Sequence, residues 1–152
     1  MRLKQRRDLS GPEIAALLEA HLDDMRRHSP PGSVHALDLD RLRQPDITFW
    51  TAWDGTALMG CGALRELDAA HGEIKSMRTD PAYLRRGVAA ALLDEIIATA
   101  RARGYRRLSL ETGRPAPFQP AHRLYEHYGF SECPPFADYV LDDFSICMTR
   151  DI

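Results

Sequence analysis

The sequence predicts one α/β domain, residues 1–152, that combines helices and strands in a layered fold. Three observations lead to this prediction. The length of 152 residues suits one full-sized hydrophobic core. Asp54-Gly55 is a strong hairpin signal between two runs rich in β-forming residues. Two helical patterns also end at a glycine, one at Gly104 and one at Gly129. The predicted element order is β-α-α-β-β-β-α-β-α-β-β.

The first half of the chain begins with a short strand, LKQRR, and a helix, PEIAALLEAHLDDMRRH. Apolar residues recur along that helix at helical spacing, and Asp8 or Ser10 is the expected cap. A short helical piece, LDLDRL, follows. The hairpin then covers ITFWTAWDGTALMGCGALREL, and GEIKSMRTD is predicted as the next strand.

The second half alternates between helices and strands. A helix from Gly87 to Arg103 carries one apolar stripe for burial, which consists of Val88, Leu92, Ile96 and Ala100. YRRLSLET alternates like a strand, and a second helix runs from Pro120 to Tyr128. The tail, FSECPPFADYVLDDFSICMTR, offers two more strands. No domain boundary is evident, so these elements are expected to form one unit.

Composition and charge narrow the classes of function. Hydrophobic residues make up 44% and charged residues 28%, which is ordinary for a globular protein. The net charge of −2 argues against nucleic acid as the main partner. Three widely spaced cysteines, an odd number, give neither a metal pattern nor a disulfide framework. No apolar run reaches membrane length, so the sequence predicts a cytoplasmic protein without a membrane partner.

The stretch YLRRGVAAALL points to an anion-binding site at the start of a helix. A helix N-terminus carries unsatisfied N–H groups and partial positive charge, so acidic side chains are favoured there. Here Arg85 and Arg86 precede the helix, and the first acidic residue is Asp94. A phosphate or pyrophosphate would supply the missing negative charge. The P-loop and GxGxxG patterns are absent, and an exposed turn is the alternative interpretation.

Two longer stretches, MRTDPAYLRRGVAAALLDEIIATARARGYRRLSLET and AHRLYEHYGF, together resemble the GCN5-related N-acetyltransferase (GNAT) superfamily. Shared parts are a strand, a proline turn, a six-residue loop, a long helix, a strand, and a helix with Leu-Tyr before Gly-Phe. The resemblance implies a central, mostly antiparallel twisted sheet of six to seven strands with helices on both faces. HSPPGSVHALDLDRL, GEIKSMRTDPAYLRRG and LSLETG are also similar to a bacterial subgroup, some of whose members are called indole-acetic acid acetyltransferase.

Acetyl-CoA is the cofactor that this resemblance implies. Backbone N–H groups of the loop would bind its pyrophosphate, and its pantetheine would pair with the preceding strand. The residues implied are Leu84, Arg85, Arg86, Gly87, Val88, Ala89 and Ala90 for the pyrophosphate, and Met77, Arg78, Thr79, Thr112, Phe118 and Leu124 for the rest of the cofactor.

Two positions depart from the family pattern. Leu84 replaces the usual Gln or Arg at the start of the loop, so a polar side-chain contact is lost or moves to Arg85. Phe118 stands where the family often has Asn. Its contacts to pantetheine are then apolar, or Thr112 or Gly113 supplies them.

Acetyl transfer to an amine requires a neutral amine, a polarised carbonyl and a protonated leaving thiolate. Tyr125 matches the family tyrosine that protonates the thiolate, although a tyrosine on this helical face could simply pack in the core. Glu73 is the candidate base. It lies four residues before Met77 on one strand, so both side chains are expected on the same sheet face. The alternatives for Glu73 are a surface carboxylate or an ion pair with Lys75.

The acceptor site is less well specified. His28, Ser29, Ser33 and His35 surround the loop after the first helix, a region that covers the acceptor pocket in the superfamily, and a polar surface loop is the alternative. The expected acceptor is a small-molecule amine or an exposed peptide amine, and an exposed sheet edge could pair two copies as a homodimer. A non-catalytic acyl-CoA-binding module and a nucleotide-binding domain remain the alternatives.

The other histidines carry simpler expectations. His122 and His127 are expected to face solvent, and His21 is expected to be structural.

Overall fold

A computed structural model describes residues 1–6, 9, 11–30, 39–140 and 142–152. The helices are α1 (Pro12–His28), α2 (Leu39–Leu42), α3 (Val88–Ala102) and α4 (Gln119–His127). The strands are β1 (Arg2–Arg6), β2 (Ile47–Asp54), β3 (Ala57–Asp68), β4 (His71–Thr79), β5 (Arg107–Gly113), β6 (Ser131–Cys133) and β7 (Ser145–Asp151). This is the element order that the sequence predicts.

The seven strands form one sheet in the order β1-β2-β3-β4-β5-β7-β6. Neighbouring strands are antiparallel except β4 and β5, which are parallel. A parallel neighbour requires a crossover, and α3 provides it between these two strands. The predicted mixed, mostly antiparallel sheet is confirmed. Among the described residues, no helix is long and apolar enough to cross a membrane.

Helices cover both faces of the sheet because each face has its own apolar cluster. One cluster joins α3 to the sheet through residues such as Leu92, Ile96 and Leu110, all with at most 1% exposure. The other joins α1 and α2 to the opposite face through Ile14, Leu42 and other buried residues. The apolar stripe predicted for α3 is fully buried, and Leu93 and Ile97 widen it.

The helix ends differ slightly from the sequence prediction. Gly11 is the N-cap of α1, and the predicted caps Asp8 and Ser10 lie outside the described residues. Gly87 is the N-cap of α3 rather than its first residue, with a left-handed φ of 78°. Gly104 follows the other end with φ 84°. Glycine adopts this conformation without the steric cost that a Cβ brings.

Candidate active site

A cleft opens in the middle of the sheet where β4 and β5 diverge. These strands pair at only three positions, and the last pair is Glu73 with Ser109. Beyond that pair, β5 remains bonded to β7 as far as Gly113, and β4 remains bonded to β3 as far as Thr79. A cavity of about 500 Å³ fills the opening and is lined from both strands. The site therefore lies at the only parallel junction in the sheet that the described residues form.

A bulge in β4 reverses the sheet faces to which the side chains beyond it point. Cys61 pairs with Arg78, but Ala63 pairs with Lys75, so β4 has one more residue than β3 between these pairs. Ser76 lies in this interval and has a positive φ of 54°. The extra residue shifts the alternation of side chains along the strand.

Because of this bulge, the prediction that Glu73 and Met77 share a sheet face is wrong. Met77 packs against the α3 cluster, and a Cβ on Gly62 would lie only 2.5 Å from its Sδ. Glu73 instead contacts Lys75 on the α1 face. Glu73 and Met77 therefore do not share a sheet face, because the inserted residue reverses the two-residue period that the prediction used.

The cavity consequently has two parts. We call the part lined by Met77, Leu84, Ala89, Leu124 and Tyr125 the α3 compartment, since these residues lie on or beside α3 and α4. We call the part lined by His21, Asp24, Lys75, Arg78 and Tyr139 the α1 compartment. The two compartments meet where β4 and β5 separate, so a ligand on one face can reach a ligand on the other.

The N-terminus of α3 provides the predicted anion site. The first intrahelical bond links the Ala91 N–H to the Gly87 carbonyl at 3.0 Å, so the preceding N–H groups have no acceptor within the helix. The first turn has no acidic residue, and the cap makes no side-chain hydrogen bond. A Cβ built on Gly87 meets nothing within 4 Å, which leaves open space at the helix start. These features fit a pyrophosphate group.

Some side chains of the loop before α3 are exposed to solvent, and others face the cavity or the core. Arg85 and Arg86 are exposed, and the Arg86 guanidinium lies 5.3 Å from the centre of the Tyr83 ring. Leu84 is 58% exposed but also lines the cavity. Val88 is buried in the core, which leaves its backbone as the part available to a ligand.

Tyr125 borders the α3 compartment from α4. Its side chain is only 6% exposed, and its ring packs edge-on against Phe130 at 5.9 Å between centroids. Burial raises the pKa of the Tyr125 phenol above its usual value, because the phenolate would be poorly solvated. The hydroxyl therefore keeps its proton at neutral pH. This state suits the acid role, which stays a prediction.

The other side of the α3 compartment is largely apolar. Phe118 covers Gly113 so closely that a Cβ on this glycine would lie 2.6 Å from the ring. Its ring also packs edge-on against Phe144 at 5.6 Å. Thr112 and Leu124 complete this wall. The Phe118 ring thus lines the cavity, and its apolar contacts with pantetheine stay a prediction.

Glu73 lies behind the α1 compartment and has no exposed surface. Its Oε2 accepts hydrogen bonds from Lys75 Nζ at 3.2 Å and from the Tyr139 hydroxyl at 2.5 Å. Arg65 Nη1 lies 3.6 Å from Oε1. The ion pair with Lys75 that the sequence left as an alternative is present. A base role for Glu73 stays a prediction, and any proton must reach it through one of these neighbours.

Tyr139 was not identified from the sequence. The tail is rich in strand-forming residues, but β6 ends at Cys133 and β7 starts at Ser145, so Tyr139 lies in the connection between them. Pro134 and Pro135 mark a break at that point, yet no local pattern shows which way the connection folds. The contact with Glu73 spans 66 residues and depends on the sheet order.

The predicted acceptor residues are only partly placed. His28 and Ser29, at the end of α1, line the cavity, and His28 is exposed. Ser33 and His35 lie outside the described residues. His127 is exposed as predicted, but the prediction for His122 is wrong. His122 is buried, and its Nε2 forms a hydrogen bond of 2.7 Å with the Gly113 carbonyl.

Asp24 and Arg78 form an ion pair between α1 and β4. The hydrogen bond from Arg78 holds the pKa of Asp24 below its usual value. His21 lies one turn earlier on α1 and is 8% exposed. Burial, assisted by the Arg78 charge, lowers the pKa of His21 to about 4. His21 is therefore neutral at physiological pH.

This shift predicts a pH-dependent contribution to stability. The unfolded state binds a proton at His21 below pH 6.5, whereas the folded state does so only near pH 4. The free energy of unfolding should therefore fall by up to about 3 kcal/mol from this residue as the pH drops through that window, and the contribution is fully present above pH 6.5. Urea unfolding at several pH values should show a shallower pH dependence for His21→Gln than for the wild type. Equal slopes would contradict the assignment.

Comparison with known proteins agrees with this geometry. The sequence model of the acetyltransferase (GNAT) family matches residues 14–130. The uncharacterized N-acetyltransferase YsnE of Bacillus subtilis is 56% identical over 145 residues, which cover 95% of this chain and 96% of YsnE. The IAA acetyltransferase of Azospirillum brasilense is 35% identical over 136 residues, 89% of this chain and 86% of the relative.

A solved structure shows the same fold with the expected ligand. The GNAT family acetyltransferase from Elizabethkingia anophelis, with acetyl-CoA bound, aligns with a TM-score of 0.71 and 19% identity. The alignment covers 99% of this chain and 97% of that structure. The resemblance inferred from the loop and the Leu-Tyr helix is confirmed by these matches. The chain belongs to the GNAT family and is an N-acetyltransferase, a member of a family that transfers acetyl groups from acetyl-CoA.

Proposed function

We propose that this enzyme transfers the acetyl group directly from acetyl-CoA to the amine of a small molecule while both are bound. One observation carries the proposal: a single cavity joins an open helix N-terminus on one sheet face to a polar compartment on the other. Two ligands that enter these compartments meet between β4 and β5. Direct transfer of this kind needs no covalent enzyme intermediate, because the enzyme gains its rate from orientation and proton transfer.

In this proposal the α3 compartment holds the cofactor. Backbone N–H groups from Leu84 to Ala89 bind the pyrophosphate, and Ala90 follows inside the helix. Arg85 and Arg86 add positive charge beside it. The β4 segment from Met77 to Thr79 and Phe118, which line the cavity, would hold the pantetheine. Acetyl-CoA supplies the acetyl group as a thioester, which is the bond that transfer breaks.

Tyr125 is the proposed acid. Its phenol lines the α3 compartment and keeps its proton at neutral pH, so it can donate that proton to a leaving thiolate. The α1 compartment is the proposed acceptor site, with His28 and Ser29 at its entrance. Ser33 and His35 remain proposed acceptor contacts from the sequence. The combined volume of about 500 Å³ for both compartments favours a small acceptor.

Calorimetric titration with acetyl-CoA, with ATP as a control, tests the cofactor site. We expect micromolar binding of acetyl-CoA and no comparable binding of ATP, because the loop lacks a nucleotide fingerprint. Tighter binding of ATP would favour a nucleotide-binding domain instead. Absence of both, in protein shown to be folded, would contradict the proposed site.

Thiol release with a panel of amines tests the reaction itself. We expect coenzyme A release that depends on the amine and yields its N-acetyl product in equal amount. Binding of acetyl-CoA without any such release would instead favour the non-catalytic acyl-CoA-binding module.

A further inference from the structure

The connection between β6 and β7 brings an unassigned tyrosine into the α1 compartment. Phe136 and Tyr139 pack against each other in this connection, with 5.0 Å between ring centroids, and the Tyr139 N–H donates to the Phe136 carbonyl at 3.0 Å. Phe136 also lies 6.0 Å from the ring of His71 at the start of β4. These contacts fix the connection against the sheet and place Tyr139 at the cavity wall.

The hydroxyl of Tyr139 joins both members of the buried ion pair. It donates to Glu73 Oε2 at 2.5 Å and accepts from Lys75 Nζ at 2.7 Å. The Lys75 ammonium also lies 5.3 Å from the centre of the Tyr139 ring. A charge-assisted bond to a fully buried carboxylate is among the stronger hydrogen bonds in a protein. The direction of the Tyr139 proton is therefore set toward Glu73.

Glu73 cannot take a proton from an acceptor directly. It has no exposed surface and does not line the cavity, whereas Lys75 and Tyr139 both do. Asp24, which lines the same compartment, is a poor base because its bond to Arg78 lowers its pKa. A buried carboxylate with a hydroxyl between it and the ligand can still receive a proton through that hydroxyl.

We propose that Tyr139 relays a proton from the acceptor's ammonium group to Glu73, which makes Tyr139 a catalytic residue for acetyl transfer. This inference rests on the proposed function. The acceptor's N–H bond breaks as the Tyr139 oxygen gains that proton, and the Tyr139 O–H bond breaks as Glu73 Oε2 gains the other. The amine becomes neutral, Glu73 becomes protonated, and Tyr139 ends with one proton as it began. No oxidant or further reactant is required.

The surroundings favour this transfer over ionisation of the phenol. Burial and the negative charge of Glu73 raise the pKa of Tyr139, so the phenolate is not a stable state and the phenol gives up its proton only as its oxygen gains another. The phenol oxygen carries two lone pairs beside its O–H bond, so it can accept from an acceptor N–H as well as from Lys75 Nζ. Lys75 neutralises Glu73 before the transfer and holds the Tyr139 oxygen in place.

Two probes with different proton demands test the relay. Benzylamine is a cation at neutral pH and must lose a proton before attack. Methoxyamine is already neutral, and its conjugate acid is strong enough to give its proton to water. We expect Tyr139→Phe to reduce turnover with benzylamine by about 100-fold and turnover with methoxyamine by no more than about threefold. The Michaelis constant for acetyl-CoA should stay unchanged.

Tyr105→Phe is the matched control. The Tyr105 hydroxyl also donates to a carboxylate, Glu66 Oε1, at 2.8 Å, but it lies outside the cavity. Its removal should leave both rates unaltered. Glu73→Gln should resemble Tyr139→Phe, and the double variant should lose no more than about twofold beyond either one, because both changes break one relay.

Several results would overturn the relay. Equal losses with both probes would indicate a structural role for Tyr139, and wild-type rates with Tyr139→Phe would exclude any role in the chemistry. Additive losses in the double variant would separate Tyr139 from Glu73. If the wild-type enzyme acetylates neither probe nor any other amine of the panel, the proposed function fails and the relay fails with it. Thermal unfolding of each variant confirms that the protein remains folded.

Discussion

Gly87→Glu should lose acetyl-CoA binding by about 100-fold or more. The new carboxylate would enter the open space at the start of α3, where the pyrophosphate is proposed to bind. Two like charges about 4 Å apart repel by about 4 kcal/mol near a protein surface, and about 1.4 kcal/mol changes a binding constant tenfold. The carboxylate would also interact with the unpaired N–H groups of the first turn of α3, which are the groups proposed to bind the pyrophosphate. Calorimetry with acetyl-CoA measures the loss.

Gly104→Glu is a close control at the opposite end of the same helix. Gly104 has φ 84°, nearly the same as the 78° of Gly87, and a Cβ there also meets nothing within 4 Å. The cost of about 1 kcal/mol that a Cβ brings to a left-handed backbone is therefore common to both variants. Only Gly87→Glu should lose binding. If both variants bind acetyl-CoA as the wild type does, the loop is not the pyrophosphate site.

Tyr125→Phe should reduce turnover by about 100-fold while acetyl-CoA affinity stays nearly constant. The substitution keeps the ring and its edge-on contact with Phe130, so the fold and the cavity shape are preserved. It removes only the hydroxyl, which is the proposed proton donor to the leaving thiolate. Steady-state kinetics with coenzyme A detection separates turnover from affinity.

Tyr128→Phe serves as the control for this effect. Tyr128 is three residues further along and does not line the cavity; its hydroxyl lies within hydrogen-bonding distance of Asp94 at 2.9 Å and of the Ala90 carbonyl at 3.1 Å. Its loss should change stability slightly and turnover not at all. Unchanged turnover in Tyr125→Phe would show that another group or water protonates the thiolate. A joint loss of affinity and turnover would instead indicate that Tyr125 shapes the cofactor site.

Local signals in the sequence were sufficient for most of the fold. The Asp54-Gly55 turn, the stripe of α3 and the two terminating glycines each depend on residues close in the chain, and each element formed as predicted. The residues proposed for the cofactor also come together, because their loop and helix are contiguous in sequence. Met77, Leu84, Ala89, Thr112 and Tyr125 accordingly line one cavity.

The polar side of the site could not be predicted in the same way. Its geometry depends on an inserted residue at Ser76 and on a connection that folds back over β4 from 66 residues away. A strand with a bulge and a strand without one have the same local pattern, so the faces of Glu73 and Met77 were assigned incorrectly. His122 was misjudged for a related reason. Its hydrogen-bond partner is the Gly113 carbonyl on β5, and the periodicity of a helix gives no information about contacts with another element.

The bulge at Ser76 also bears on how such an enzyme can acquire new substrates. On either side of it, Lys75 and Met77 are only two positions apart, yet they point into different compartments. Under the proposed function, a mutation at Lys75 would therefore change the proposed acceptor compartment and leave the proposed cofactor compartment unchanged. A regular strand would place both side chains in the same compartment and couple the two kinds of change. One extra residue thus separates the side chains of the two compartments.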